Sequence, residues 1–321
     1  MNGENNKVRN RYLIYILLSL VILIIGLITP FKPSGYTFDP YIASEPKTSN
    51  LKVLVTGDMM LDRNVRNIID RKGFEYFFGG VKDLIHSADI SVTNLEGAFT
   101  MNPSITASLV SKELLFTFDP KLAPKLSDLG FDILGLANNH SYNFGKTGLE
   151  STRRYIGGAG MMYYGDPFNK TEVSTVVTKN GIHIGLVGFH EFYYTNFDNI
   201  LSEISRLKKE VDVLIVTPHW GIEYDVEPSK NIVELAHKFV DSGADVVIGT
   251  HQHVVGTSEV YKGKKIYYSL GNFAFDQYFS KATMRGLVVI LDIYKNGEDT
   301  SIGFTEIPVY VDREGVRVGR E

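Results

Sequence analysis

Apolar positions divide the chain into three parts. Residues 12–29, YLIYILLSLVILIIGLIT, are uncharged and apolar on every side, with Lys7, Arg9 and Arg11 just ahead of them. Residues 30–50 carry Pro30, Pro33, Pro40 and Pro46 and show no apolar period. From Leu51 onward, short β-branched runs alternate with helical patterns. The runs are LKVLVTG (51–57), ADISVTN (88–94), FDILGLA (131–137), VDVLIVT (211–217) and ADVVIGT (244–250). Between them lie stretches such as FFGGVKDLIHSA and NIVELAHKFVDSG, where Ile232, Leu235, Ala236 and Phe239 recur at helical spacing. Strand and helix in alternation predict an α/β fold with a largely parallel sheet covered on both faces. STVVTKNGIHIGLVGF, turning at Asn180-Gly181, and KKIYYSLGNF with GLVVILDIY predict antiparallel additions and a second, more β-rich layer.

The apolar run of 12–29 spans about 27 Å as a helix, close to the hydrocarbon thickness of a bilayer. Basic residues on its short side place residues 1–11 in the cytoplasm and everything after the run outside. A cleaved signal peptide is the competing reading, but no small-x-small cleavage site follows. The expected organisation is a cytoplasmic N-terminus (1–11), a transmembrane anchor (12–29), a linker (30–50), a folded domain (51–312) and a tail (313–321).

Composition narrows the chemistry. With 44% hydrophobic and 22% charged residues and a net charge of −4, the domain is ordinary globular protein, and no Lys/Arg-rich region suits a nucleic acid. The absence of cysteine excludes disulfides, a lipoprotein anchor and thiolate ligands. Any metal must be held by His, Asp, Glu or Asn.

Those residue types sit where ligands bind in open α/β sheets, just beyond the carboxyl ends of strands. Asp58, Glu96, Asn138-Asn139-His140, His219, and His251 with His253 each follow one of the five runs. Each has a plainer alternative: Asp58 as a cap of a helix starting near Leu61, Glu96 as a solvated loop carboxylate, His219 as a half-buried imidazole beside Trp220. Met59 and Met60 read as core. His86, His183 and His237 carry no site reading, and His190, after IGLVGF, is a weak one. His251 and His253, two apart in extended chain, would project to one side. Imidazole, carboxylate and amide together suit borderline divalent ions such as Mn²⁺, Fe²⁺ or Zn²⁺.

Taken in order, GDMMLDR, NLEG, ANNHSYNFGKTGL, HWGIEY, GADVVIGTHQHV and YSLGNFAFD resemble the signature segments of the CapA family of poly-γ-glutamate capsule synthesis proteins. The likeness runs from about residue 51 to 293. That family is similar to calcineurin-like metallophosphoesterases, so the resemblance implies a metallophosphatase-like sandwich of mixed sheets flanked by helices. It implies a set for one or two divalent ions made of Asp58, Glu96, Asn139, His219, His251 and His253, with Glu96 as the bridging carboxylate. It also implies that His140 protonates a leaving group and that Arg63 meets an anionic substrate. The implied partners are the cytoplasmic membrane and an anionic polymer or its synthesis complex.

Three departures stand out. Met60 occupies the histidine position of the phosphoesterase D-x-H pattern, Asn143 stands where N-N-H-x-x-D-x-G has Asp, and Gln252 stands where G-x-H-P-H has Pro. Three functions remain open: a metal-dependent hydrolase of capsule assembly, a non-catalytic polymer-binding or assembly subunit, and a stand-alone phosphoesterase or peptidoglycan-type hydrolase.

Overall fold

The computed structural model describes residues 48–106, 114–193 and 196–319. The expected anchor, and the linker up to residue 47, lie outside the described residues. Among the described residues no helix is long and apolar enough to cross a membrane.

In chain order the elements begin with β1 (Thr48–Met59), α1 (Arg63–Lys72), α2 (Phe74–Phe78), α3 (Lys82–His86), β2 (Ile90–Leu95), β3 (Ala98–Phe99) and β4 (Thr117–Phe118). There follow α4 (Leu122–Leu129), β5 (Ile133–Gly135), α5 (Gly145–Gly158), β6 (Met162–Tyr164), β7 (Ser174–Lys179) and β8 (Ile182–His190). The second half comprises α6 (Phe197–Leu207), β9 (Val213–His219), α7 (Lys230–Ser242), β10 (Val246–Ile248), β11 (Ser258–Tyr261), β12 (Lys264–Tyr267), β13 (Asn272–Ala274), β14 (Arg285–Asn296), β15 (Asp299–Asp312) and β16 (Gly315–Val318).

The five apolar runs do not share one sheet, as expected from the sequence, but divide between two. An eight-stranded sheet has the order β16-β15-β14-β1-β2-β5-β6, with β13 pairing β1; a six-stranded sheet has the order β11-β12-β10-β9-β8-β7. Within the first, β1, β2, β5 and β6 are parallel; within the second, β8, β9, β10 and β12 are. The physical reason lies in side-chain alternation. Leu51, Val53 and Val55 of β1, Ile184 and Leu186 of β8, Val213 and Ile215 of β9, and Val246 and Ile248 of β10 all enter one apolar layer between the sheets. The intervening Leu54 packs under helices α1–α5, and Leu214, Val216 and Val247 pack under α6 and α7. Strands buried on both faces read as unbroken apolar runs, so the sequence carries no mark of which sheet each joins.

The Asn180-Gly181 turn is where the pattern placed it, with both φ angles positive (53° and 72°), joining β7 and β8 antiparallel. Strand β1 already includes Thr48, slightly before Leu51. Within the expected tail, Gly315–Val318 form β16, which pairs with the end of β15 and extends the first sheet.

Candidate functional site

Register aligns two rows of polar residues at the carboxyl edges. On the first sheet Asp58 lies beside Asn272 of β13 on one side and Asn94 of β2 on the other. On the second, His190 is paired with His219, and His219 with Thr250. Asn94 crosses between the rows: its amide donates to Asp58 Oδ1 at 2.8 Å and lies 3.3 Å from both Glu96 Oε1 and His219 Nδ1. In sequence Asn94 reads only as the end of a strand run.

Asp58 is not a helix cap. The following helix starts at Arg63 with Asp62 at its N-cap, while Asp58 is fully buried and its Oδ2 accepts from the His251 N–H at 3.1 Å. Burial pushes the Asp58 carboxyl up, but hydrogen bonding and charge from His253, 3.3 Å away, outweigh it and hold the group below its ordinary range. Glu96 is likewise buried, not a solvated loop carboxylate. Burial first, then the neighbouring Asp58 charge, hold it well above its ordinary range, and its Oε2 has no hydrogen-bond partner. Two adjacent buried carboxylates, with one oxygen orphaned, are expensive unless a cation lies between them.

The second row gathers ring nitrogens. His219 Nδ1 lies 3.0 Å from Thr250 Oγ1, which itself reaches the Pro218 carbonyl at 3.3 Å, and 3.3 Å from the Asn94 amide nitrogen, while Nε2 faces the other way. Against that Nε2 lie Asn139 Oδ1 at 2.9 Å and His251 Nδ1 at 3.1 Å. Donor atoms around one ion at about 2.1 Å stand roughly 3 Å apart, so this trio has ligand-set spacing. Burial, then the neighbouring imidazoles, hold His219 well below its ordinary value, and burial above all takes His251 down to about 3.

His253 reaches the site differently from the sequence expectation. Residues 251–253 are not extended: β10 ends at Ile248, and His251 and His253 have φ angles of 92° and 55°. The two rings converge, with centroids 5.9 Å apart, through a left-handed turn and not through strand alternation. Asn272 fixes the His253 tautomer. Its Nδ2 faces the carbonyl oxygens of His253 and Thr283 and Oε1 of Gln277, so its Oδ1 accepts from His253 Nδ1 at 2.9 Å. The Nε2 lone pair of His253 is therefore available. Donor atoms of Asp58, Glu96 and His253 lie within 4.8 Å of one another, as do those of Glu223, His251 and His253. Glu223 was passed over in sequence, although HWGIEY held the clue. The donor chemistry and the orphaned Glu96 oxygen fit divalent metal.

His140 and Arg63 flank this cluster. The His140 ring tilts onto Phe116 with centroids 4.3 Å apart. Asn143 Oδ1 accepts from the Phe116 N–H at 2.9 Å and lies 3.1 Å from His140 Nδ1, and the Leu114 backbone is a further hydrogen-bond partner of the imidazole. Burial takes the imidazole down to about 4. Arg63 forms a two-point pair with Asp276, through Nε at 3.1 Å and Nη2 at 2.7 Å, so its charge is largely matched within the protein. His190 is fully buried, its ring centroid 5.8 Å from that of His219, and its Nε2 lacks a partner. Met60 is core, as expected.

Two facing mixed sheets between helical layers, with His, Asn and acidic side chains gathered at their carboxyl edges, define a metallophosphatase-like α/β protein. Solved structures share the fold. A candidate 5′-nucleotidase from Staphylococcus aureus solved with α-ketoglutarate superposes with a TM-score of 0.54 at 15% identity, over 85% of this chain and 55% of that one. A phosphatase from Mycoplasma pneumoniae gives 0.51 at 14% identity, over 82% and 94%. The family described as bacterial capsule synthesis protein PGA_cap matches residues 52–277, and the chain belongs to that family. Among its relatives, the capsule biosynthesis protein CapA of Bacillus anthracis is 30% identical over 262 residues, 75% of this chain but only 64% of that protein's length. The PGA biosynthesis protein CapA of Bacillus subtilis is 29% identical over 77% of this chain and 69% of its own length.

Proposed function

We propose that this chain is an extracytoplasmic accessory protein of capsule polymer synthesis, tethered to the cytoplasmic membrane by residues 12–29. In this reading its strand-end cluster holds divalent metal and acts on an anionic polymer such as poly-γ-glutamate, or on the complex that makes it. One observation carries the proposal: in a member of the capsule synthesis family, Asp58, Glu96, Asn139, His219, His251 and His253 from two different sheets are brought together at one edge. A bound divalent ion would supply Lewis acidity and activate water for hydrolysis. Asp58 and Glu96 offset its charge, Asn94 orients both carboxylates, and Thr250 and Asn272 fix the ring orientations of His219 and His253. His140 would accept or relay a proton at the reacting group, and Arg63, braced by Asp276, would orient an anion.

A second reading, polymer binding without turnover, is favoured by Met60, buried in the core where D-x-H would place a histidine, which leaves the end of β1 without a nitrogen ligand. The test is capsule polymer yield in native cells carrying Glu96→Gln or His140→Ala at equal surface levels. Loss in both supports hydrolysis, and loss with Glu96→Gln alone supports metal-dependent binding. Normal yield with both contradicts a role for the cluster.

A further inference from the structure

The position that D-x-H would fill with imidazole holds Met60, which is fully buried in the apolar core, its Sδ accepting from the Asp62 N–H at 3.0 Å. The end of β1 therefore offers Asp58 but no nitrogen ligand. On the opposite side, the loop after β9 brings in a carboxylate. A Glu223 oxygen lies within 4.8 Å of donor atoms on His251 and His253, and His253 belongs equally to the group with Asp58 and Glu96. Donors sharing an ion at about 2.1 Å are at most roughly 4.2 Å apart, so within the Glu223, His251 and His253 group closure by about half an ångström suffices, and His253 links that group to Asp58 and Glu96.

That loop is built to hold Glu223 in place. The Gly221 N–H donates to Glu191 Oε2 at 2.8 Å, the Tyr224 N–H to the Gln252 carbonyl at 2.7 Å, and the Tyr224 hydroxyl accepts from Gln277 Nε2 at 3.2 Å. Tyr224 is kept at φ 72°, a conformation that costs an L residue energy and persists only where its surroundings impose it. The Glu96 oxygen left without a partner supplies the independent sign that a cation belongs here.

We propose that Glu223 replaces the missing D-x-H histidine, so that the centre has two unlike positions. One, formed by Asn139, His219 and His251, is rich in nitrogen. The other, formed by Asp58, Glu96, His253 and Glu223, is rich in carboxylate. Hard, oxygen-preferring ions such as Mn²⁺ favour the second, and Zn²⁺ the first. This rests on the metal reading of the site given above.

The test is Mn²⁺ and Zn²⁺ titration of the purified full-length chain by calorimetry, with bound metal counted after dialysis. Glu223→Gln is compared with Ile222→Ala, a change at the exposed neighbouring residue. Wild type should bind both ions. Glu223→Gln should bind Mn²⁺ at least about tenfold more weakly while Zn²⁺ binding and the thermal unfolding midpoint stay near wild type, and Ile222→Ala should match wild type. Unchanged Mn²⁺ binding in Glu223→Gln, or equal loss of both ions, overturns the proposal while the metal centre stands. Wild-type protein that binds neither ion overturns the metal reading itself.

Discussion

His251 and His253 sit at φ 92° and 55°, a conformation that costs a non-glycine residue on the order of 1–3 kcal/mol. The turn is held by the His251 N–H on Asp58 and the Tyr224 N–H on the Gln252 carbonyl. That Asp58, Glu96, His219 and the histidine pair gather at one edge was legible, because all end apolar runs; the parts of Asn94 and Glu223 were not. Nor was how the pair converges, since nothing in T-H-Q-H marks two left-handed histidines. His251→Ala and His253→Ala should each weaken metal binding by about tenfold or more, whereas His237→Ala, whose ring stacks on Tyr261 and bonds Glu259, should leave it unchanged. Calorimetry on the three variants checks this; equal affinities would make them ordinary turn histidines. Asn143→Asp should raise the His140 titration midpoint above its depressed value of about 4, because a carboxylate accepting from Nδ1–H stabilises the imidazolium. An NMR pH titration reads it directly.

Acid should also weaken the metal-free protein. His140 and His190 are lowered to about 4 and His251 to about 3, each chiefly by burial. Against about 6.5 in the unfolded chain, the unfolded state binds more protons below that pH. Their contribution is full above it and is lost as pH falls towards their folded values. Glu96, raised in the fold, works the opposite way above about 4.5, but as a single group. The urea midpoint of metal-free protein should therefore be lower at pH 5 than at pH 7; a higher one would contradict buried neutral imidazoles.

Among the elements, the strands and the Asn180-Gly181 hairpin were readable from β-branched runs and turn chemistry. Their partition into two sheets was not, because alternation along a strand buried on both faces looks the same in either sheet. Strand β16 escaped notice because it is a four-residue edge strand whose last two residues are exposed. The least visible device is the seam between β1 and β13, which sets Asn272 against Asp58 and His253. A Cβ on Gly57 would lie 1.9 Å from the Gly271 carbonyl oxygen, and backbone cannot yield as a side-chain end does. Gly57→Ala should force the seam apart, lowering the thermal midpoint by several degrees and weakening metal binding with it. Calorimetric unfolding together with metal titration checks the coupling; a variant of normal stability and affinity would show that the seam does not position the site.

For the molecule as a whole, the proposed tether rests on the sequence alone, on Lys7, Arg9, Arg11 and the uncharged run that follows. Protease added to intact protoplasts should remove the folded domain; protection of the domain, or a soluble product cut near residue 30, would contradict tethering outside the membrane. If side chains from two sheets form a metal centre, the full-length protein, purified without chelator, exposed to Mn²⁺ and Zn²⁺, and dialysed, should retain roughly one to two ions per chain, with most lost in a folded His219→Ala/His251→Ala double variant. Wild-type protein that emerges metal-free, or a double variant that retains the full complement, would contradict such a centre.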